Sequence, residues 1–481
     1  MRYLLLFFLF FYFPFQFVGA QTNTKTNILL LYMDDLRPEL NCYGKTYIKS
    51  PNIDALANEG ILFKNAYCNV PVCGASRASM LTGMYPNYER FLNYNTFASK
   101  EVPKAISLPR LFKNAGYTTI SNGKVYHHLD DNTEDWDEIY RPYAFDSNPQ
   151  NLSPTDYWQS LWKDYQTTEN KNTYLETGNG PAYEKAAVPD STYIDGLMTQ
   201  KVLRDLHHLK DSGKPFFLTA GFISNHLPFN APEKYWDLYD TSSIQHPKNN
   251  YAQKNIPEIA KGNYYELRAY NNIPKEGTVD SQTALSLIHG YYATVSYVDA
   301  LIGKITATLK ELDLDKNTVV ILVSDHGCLL EEHGEWAKFT NHKLTSHVPM
   351  IIKTPKHKKG TVSGLVELVD LYPTLAEMCE LETPENQLDG KSFYSLLKSK
   401  SKPSKEFVFT KKGNGFTLKT KNFSYTEYIN LKTHKTIGKT LFDHQLDPDE
   451  NQNIAESPKF QKKVIELSTM LHENFRTYIS K

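Results

Sequence analysis

Five apolar runs in this chain each lead into residues that can carry chemistry. Those residues are Asp34 and Asp35, Cys73, Lys124 and His127, His226, and Asp325 and His326. The first run, Asn27 to Met33 (NILLLYM), is continuously apolar, as is typical of a strand buried on both faces of a parallel sheet. Two acids directly after such a strand are costly unless they are paired or bind a metal.

Segments with helical periodicity separate these runs. Examples are Leu108 to Ala115, Ser191 to Leu209, and Ala284 to Leu312, which Gly303 is expected to interrupt. Alternation of strands and helices predicts an α/β fold with a large, mostly parallel central sheet flanked by helices. Because parallel strands end at one edge of a sheet, where ligands bind in open α/β folds, the sequence predicts one polar cluster there.

The sequence texture changes near residue 400, which indicates a second, smaller unit. Lys398 to Lys405 (KSKSKPSK) is typical of a basic linker, and Phe407 to Leu441 alternates like short antiparallel strands. Lys459 to Ile479 is predicted to be a closing helix. We therefore expect a catalytic domain over residues 21–400 and a C-terminal subdomain with a small antiparallel sheet over 401–481.

Residues 1–20 have the pattern of a secretory signal: Arg2, an apolar stretch, and small residues before Gln21. The alternative is a membrane anchor, but the run is short and contains Pro14, which favours cleavage. No later run reaches membrane length, so we expect a secreted or periplasmic protein without a membrane span. The five cysteines show no disulfide framework.

The charge balance gives no reason to expect a nucleic-acid partner. The formal net charge of the 481 residues is −1, so any recognition of anions must be local. Aromatic residues make up 13% of the chain, including 32 tyrosines, and their flat rings suit stacking on sugars or packing in a core. The irregular stretch 129–190 is either a substrate-binding insertion or a surface excursion.

Cys73 stands at the start of a predicted helix, in the stretch Val70 to Gly83 (VPVCGASRASMLTG). Ser76 or a neighbour can cap this helix, and Arg77 falls in or near its first turn. A helix N-terminus suits an anion or an activated sulfur nucleophile, whereas a lone buried cysteine is more often a packing residue.

The pattern Cys-x-Ala-x-Arg followed by Leu-Thr-Gly resembles the first signature of the type I sulfatases, in the alkaline phosphatase-like superfamily. The Gly116 to His127 segment resembles their second signature, with spacing like that of the iduronate-2-sulfatase branch. In that family the cysteine is oxidised to formylglycine (3-oxoalanine), whose hydrate attacks sulfur. Ala75 stands where the commonest form has Pro, which leaves the identity of the maturation enzyme open.

The resemblance implies a metal site and a sulfate site. The implied ligands of a calcium ion, with magnesium left open, are Asp34, Asp35, Cys73, Asp325 and His326. The residues implied to act on the sulfate are Cys73, Arg77, Lys124, His127, His226 and Lys338. Where the iduronate-2-sulfatase branch has His and Lys, this chain has Ile223 and Ser224, so its substrate need not be 2-sulfated iduronate. His347 either faces the substrate or supports the sheet edge.

These features predict an exported sulfatase that acts on a sulfated oligo- or polysaccharide, such as a glycosaminoglycan or an algal polysaccharide like ulvan, after modification by a formylglycine-generating enzyme. Two alternatives stay open. One is a phosphatase or phosphodiesterase of the same superfamily, and the other is a carbohydrate-binding homologue with an inactive site. An intact Cys73 thiol in fully active protein would favour the phosphatase. Unchanged turnover in Lys124→Ala and His226→Ala would favour the binding homologue.

Overall fold

The computed structural model describes residues 25–142, 164–262, 264–402 and 404–479. The predicted signal at residues 1–20 and part of the 129–190 insertion (143–163) lie outside these ranges. The strands are β1 Asn27–Met33, β2 Ile61–Tyr67, β3 Thr118–Gly123, β4 Glu138–Tyr140, β5 Tyr183–Ala186, β6 Phe216–Gly221, β7 Phe229–Pro232, β8 Thr318–Ser324, β9 Leu329–Leu330, β10 Trp336–Ala337, β11 His347–Lys353, β12 Gly360–Glu367, β13 Phe407–Lys412, β14 Gly415–Thr420, β15 Phe423–Asn430 and β16 Lys435–Asp443.

The α-helices lie between and around these strands. They are α1 Pro51–Glu59, α2 Cys73–Thr82, α3 Ala98–Glu101, α4 Leu108–Asn114, α5 Thr168–Thr177, α6 Ile194–Ser212, α7 Glu233–Trp236, α8 Ser281–Glu311, α9 Lys343–Ser346, α10 Leu371–Met378, α11 Tyr394–Lys398 and α12 Gln461–Ile479. Within the described ranges, none of these helices combines the length and the apolar character that crossing a bilayer requires.

The central sheet has the order β12-β2-β11-β8-β1-β6-β3-β4 among the described residues. β1 is parallel to both β6 and β8, and β11 is antiparallel to β8 and β2. β3 is parallel to β6. The strands that precede the five predicted polar sites, which are β1, β2, β3, β6 and β8, therefore run in the same direction. The mostly parallel α/β sheet predicted from the sequence is confirmed.

Both faces of the central sheet are buried. Along β1, Leu29 and Leu31 pack with α6 and α8 on one face, while Ile28 and Leu30 pack with α2 and α10 on the other. This double burial explains why the strand reads as an uninterrupted apolar run instead of an alternating one.

Two local predictions about helices were wrong. Val72 is the N-cap residue of α2, and Ser76 instead donates its hydroxyl to the carbonyl of Asp325 at 2.6 Å. Helix α8 continues through Gly303. A Cβ at Gly303 would lie 2.4 Å from Asn52 Oδ1, so this glycine allows the close approach of another segment and does not break the helix.

The small antiparallel sheet near the C-terminus is also confirmed. Strands β13 to β16 are neighbours in sequence order, and α12 packs its apolar side against them. Lys405, at the end of the predicted linker, forms ion pairs with the buried carboxylates of Glu367 and Asp370. The division at residues 400/401 remains a prediction, and the start of the small sheet is tied to the catalytic unit by this ion cluster.

Candidate active site

Asp34 and Asp325 lie side by side because their strands are paired in register. β1 ends at Met33 and β8 ends at Ser324, and these two residues are partners in the parallel ladder. The backbone N–H of Asp35 donates to Asp325 Oδ1 at 3.3 Å. All three carboxylates are buried, so this edge of the sheet holds a concentrated negative charge that needs cationic partners.

Cys73 joins the two acids from the first position of α2. Its Sγ lies 3.6 Å from Asp34 Oδ1 and 3.2 Å from His326 Nε2. One ligand atom from each of Asp34, Cys73, Asp325 and His326 lies within 4.8 Å of the others. Asp35 Oδ1 is 3.0 Å from His326 Nδ1, so four of the predicted metal ligands form one cluster and the fifth lies beside it.

The chemistry of this cluster fits a hard divalent cation. Carboxylate oxygens are the ligands that calcium and magnesium prefer, whereas a cysteine sulfur is a soft ligand that suits other metals. The donor set therefore fits calcium or magnesium best when residue 73 offers oxygen instead of sulfur. Burial and Asp34 raise the pKa of the unmodified Cys73 thiol, but Lys124 and Lys338 outweigh them and lower the pKa below its usual value.

Arg77 lies behind the cluster and is fully buried. Its Nε donates to Asp325 Oδ2 at 2.8 Å, and its two Nη atoms donate to the carbonyls of Lys124, Val125 and Met33. The guanidinium also lies 4.4 Å above the ring of Tyr32. These contacts make Arg77 a support for the acids, and a contact between Arg77 and sulfate stays a prediction.

Lys124 and His127 follow β3 and reach the same cluster. The Lys124 ammonium forms a buried ion pair with Asp34 Oδ2. Burial opposes ionisation of Asp34, but Lys124 and Arg77 hold the pKa of this carboxyl well below its usual value. Burial, followed by Lys124, holds the pKa of His127 well below its usual value, so the imidazole is neutral near pH 7 and can accept a proton.

A cavity of about 560 Å³ opens above Cys73. Its walls include Val72, Cys73, Tyr94, His127, His226, Tyr265, Glu266, Arg268, Ala269, Tyr270, Lys338 and Phe339. Tyr94 and Tyr265 are exposed at 43% and 69%, which leaves aromatic surface available to a ligand. The cavity thus combines cationic and imidazole groups next to Cys73 with aromatic walls, an arrangement that suits an anionic ester of a sugar.

Sequence reasoning missed Glu266, which the structure brings into this cavity. Its Oε1 lies 2.9 Å from Lys338 Nζ and 2.8 Å from His226 Nε2. Burial opposes ionisation of Glu266, but Lys338 and His226 lower the pKa of its carboxyl far below the usual value. Glu266 belongs to no motif, and its one local signal is the following residue, Leu267, which is fully buried in an otherwise polar segment.

Asp195 holds the backbone of the segment before His226. The backbone N–H groups of Ile223 and Ser224 donate to the Asp195 carboxylate at 2.9 and 2.7 Å. Burial and Lys338 lower the pKa of His226, but Glu266 and Cys73 raise it to about 10. Ile223 is buried and carries no charge.

His347 does not line the cavity above Cys73. Its Nε2 lies 2.8 Å from the carbonyl oxygen of Lys64, and its ring stacks on Tyr67 with centroids 5.1 Å apart. It borders a different cavity of about 660 Å³, on the side of the C-terminal subdomain. Of the two roles left open for His347, these contacts favour support of the sheet edge.

Comparisons with known proteins give two family matches. The family described as Sulfatase matches residues 26–380, and the family described as N-sulphoglucosamine sulphohydrolase, C-terminal, matches residues 331–477. The chain is 31% identical to iduronate 2-sulfatase of Mus musculus over 407 residues, which is 76% of this chain and 71% of the mouse protein.

Two solved structures share the fold. One is a protein in complex with its substrate D-glucosamine-2-N,6-O-disulfate, with a TM-score of 0.74, 22% identity and coverage of 95% of this chain and 98% of the other. The second is the phosphonate monoester hydrolase of Silicibacter pomeroyi, with a TM-score of 0.75, 21% identity and coverage of 94% and 96%. At these identities the likeness establishes the fold alone.

Proposed function

The chain belongs to the sulfatase family and is a sulfuric ester hydrolase, and we propose that it is an exported enzyme that uses an oxidised Cys73 and a divalent cation to remove sulfate from a sulfated saccharide. The observation that carries the proposal is the convergence of Asp34, Cys73, Asp325 and His326 below a cavity that Lys338 and His226 also line.

The first requirement of the reaction is to hold a sulfate ester, which is an anion, against a nucleophile. Asp34, Asp35, Asp325 and His326 would hold a calcium or magnesium ion beside residue 73, and this ion would offset the charge of the sulfuryl oxygens. Lys124 and Lys338 add cationic charge from the protein. Arg77 keeps the acids in place through its contacts with Asp325 and the neighbouring carbonyls.

Formylglycine at position 73 would supply the nucleophilic oxygen and, through its second hydroxyl, a route to release sulfate. The departing sugar oxygen needs a proton, and His226 Nε2 and Lys338 Nζ are the donors that line the cavity. His127, neutral and also in the cavity wall, accepts the proton that position 73 must lose in the second half of the reaction.

The cavity favours a sugar as the group that carries the sulfate. Tyr94, Tyr265 and Phe339 line the cavity with aromatic surface on which a pyranose ring can stack. Ile223 and Ser224 stand where the iduronate-2-sulfatase branch has His and Lys, so we do not expect 2-sulfated iduronate to be required. Sulfated glycosaminoglycan or algal oligosaccharides remain the substrate class that we propose.

A desulfation screen, made with protein whose oxidation state at Cys73 is known, tests this proposal. Protein is co-expressed with a formylglycine-generating enzyme, the Cys73 peptide is examined by mass spectrometry, and sulfate released from defined sulfated oligosaccharides is measured by ion chromatography. We expect sulfate release that depends on the oxidised residue and is lost in Cys73→Ala. Full activity with an intact thiol, or preference for phosphate monoesters, would contradict it and favour phosphatase chemistry.

The choice between an enzyme and a binding homologue needs its own variants. We expect Lys124→Ala and His226→Ala to lower turnover by about 100-fold or more, because each removes a charged or proton-transferring group from the reacting centre. Unchanged turnover in both variants would refute the roles assigned here. Secretion of the chain, with cleavage before Gln21, is checked by N-terminal sequencing of the mature protein.

A further inference from the structure

The Lys338 ammonium is held by two carboxylates at once. Its Nζ donates to Asp35 Oδ2 and to Glu266 Oε1, both at 2.9 Å. An ammonium group has three N–H bonds, and the third has no protein acceptor among the described residues. Because Lys338 lines the cavity above Cys73, the two carboxylates determine the direction in which the remaining N–H is presented to a ligand.

The same Glu266 oxygen also contacts His226. His226 Nε2 lies 2.8 Å from Glu266 Oε1, while Nδ1 lies 2.6 Å from the carbonyl oxygen of Leu227. The imidazole ring is thus fixed from both sides. One oxygen of Glu266 therefore contacts both groups that the proposed function assigns to protonation of the departing sugar oxygen.

Glu266 is held on an anchored turn, which makes it suitable for positioning other groups. The next residue, Leu267, is fully buried in the core, and Tyr270 is 4% exposed. The Arg268 guanidinium donates to the carbonyls of Pro274 and Gly277, which ties the two ends of this loop together. Lys338 and His226 keep the Glu266 carboxyl ionised, since they lower its pKa.

We propose that Glu266 is a positioning residue for the leaving-group side of the reaction, where it holds the Lys338 ammonium and the His226 ring at the sugar oxygen. This inference rests on the proposed function. The oxygen that oxidised residue 73 would supply bonds to sulfur while the bond between sulfur and the sugar oxygen breaks; the electron pair of the broken bond goes to the sugar oxygen, which takes one proton from Lys338 or His226. The donor then recovers a proton from water.

A carboxylate in an anion site has an expected signature in the kinetic constants. Glu266 repels the sulfate ester, so Glu266→Gln should leave KM unchanged or lower it by roughly 3-fold, because one like charge is removed. At the same time kcat on a sugar sulfate should fall by about 30-fold or more, since misplaced general acids lose most of their catalytic contribution.

The test compares two esters with different leaving groups. In oxidised preparations we expect Glu266→Gln to lower kcat on the sulfated sugar by about 30-fold and on 4-nitrophenyl sulfate by less than about 3-fold, because nitrophenolate departs without a proton. The matched control, Glu258→Gln, lies on the same segment and removes an exposed pairing with Lys261. It should leave both rates unchanged.

A binding measurement on the unoxidised thiol form adds a readout that does not depend on turnover. We expect inorganic sulfate to bind Glu266→Gln as tightly as the wild type or several-fold more tightly. Equal loss of kcat on both esters, or no loss on the sugar sulfate, would overturn the role of Glu266 alone. A wild-type enzyme that is oxidised at position 73 and hydrolyses neither ester would overturn the proposed function and this inference together.

Discussion

Replacement of Arg77 offers a quantitative test of how the acidic cluster is stabilised. Arg77 is fully buried, and its guanidinium donates to Asp325 and to three backbone carbonyls and also lies 3.7 Å from Asp34 Oδ2. Arg77→Met removes the charge and all of these contacts. Arg77→Lys keeps the charge, but an ammonium cannot reproduce the planar fork that reaches the carbonyls of Met33 and Val125.

The expected losses follow from these contacts. Removing one partner of a buried ion pair costs about 3–5 kcal/mol, and each neutral hydrogen bond that is lost costs about 1 kcal/mol. We therefore expect Arg77→Met to lower the free energy of unfolding by about 6–8 kcal/mol, the sum of the ion pair and three hydrogen bonds, and Arg77→Lys to lower it by about 2 kcal/mol for the two carbonyl contacts. Calcium should reduce the loss of unfolding free energy in Arg77→Met, because a bound divalent cation replaces the positive charge that Arg77 no longer provides to Asp34 and Asp325.

The free energy of unfolding of the wild type, Arg77→Met and Arg77→Lys is measured on the thiol form by urea unfolding. The transition is followed by tryptophan fluorescence, once with EDTA and once with calcium. The slope of the transition provides the control, since an unchanged slope indicates that the same surface is exposed on unfolding. A loss below about 1 kcal/mol in Arg77→Met would refute the structural argument. Equal losses in Arg77→Lys and Arg77→Met would refute the part assigned to charge.

Three further predictions concern the candidate metal site, the ion cluster of Lys405 with Glu367 and Asp370, and His347. Calcium at about 100 times its dissociation constant should raise the free energy of unfolding by about 2.7 kcal/mol, and Asp325→Asn should abolish this effect in a thermal-shift titration; an equal shift in the variant would contradict it. Lys405→Met leaves the carboxylates of Glu367 and Asp370 buried without their cation, so it should cost about 3 kcal/mol in urea unfolding, and neutral amides at both acids should restore much of the loss. Burial and then Lys343 lower the pKa of His347 to about 4. The folded state therefore resists protonation that the unfolded chain accepts below about pH 6.5, and stability should fall between pH 6.5 and 4 less steeply in His347→Asn than in the wild type; parallel thermal-melting profiles would contradict this.

The central sheet was predictable because its strands are buried on both faces. Asn27–Met33 is an uninterrupted apolar run between polar residues, and the structure has a strand with those bounds. The clustering of Asp34 and Asp325 could be predicted because both residues follow strands that run in the same direction and end at the same edge of the sheet. Small differences at other element ends, such as the start of α8 at Ser281, three residues before the predicted Ala284, reflect caps that apolar periodicity does not record.

The positions that escaped prediction depend on contacts between distant segments. Ser76 was expected to bond within its own helix, yet its partner is the carbonyl of Asp325, 249 positions away. Gly303 is needed because Asn52 approaches it. Glu266 gains its importance from His226 and Lys338, which lie 40 and 72 positions away, so no local pattern could have singled it out.

The depth of α2 has a consequence for how the active enzyme is made. Every residue of Cys73–Thr82 is buried, and the cysteine itself is 2% exposed. If Cys73 is oxidised by a maturation enzyme, as we propose, that enzyme needs access to residues that are buried in the folded protein. We therefore expect this oxidation to precede closure of the sheet over α2, so that purified, folded thiol protein stays inactive however long it is incubated with that enzyme.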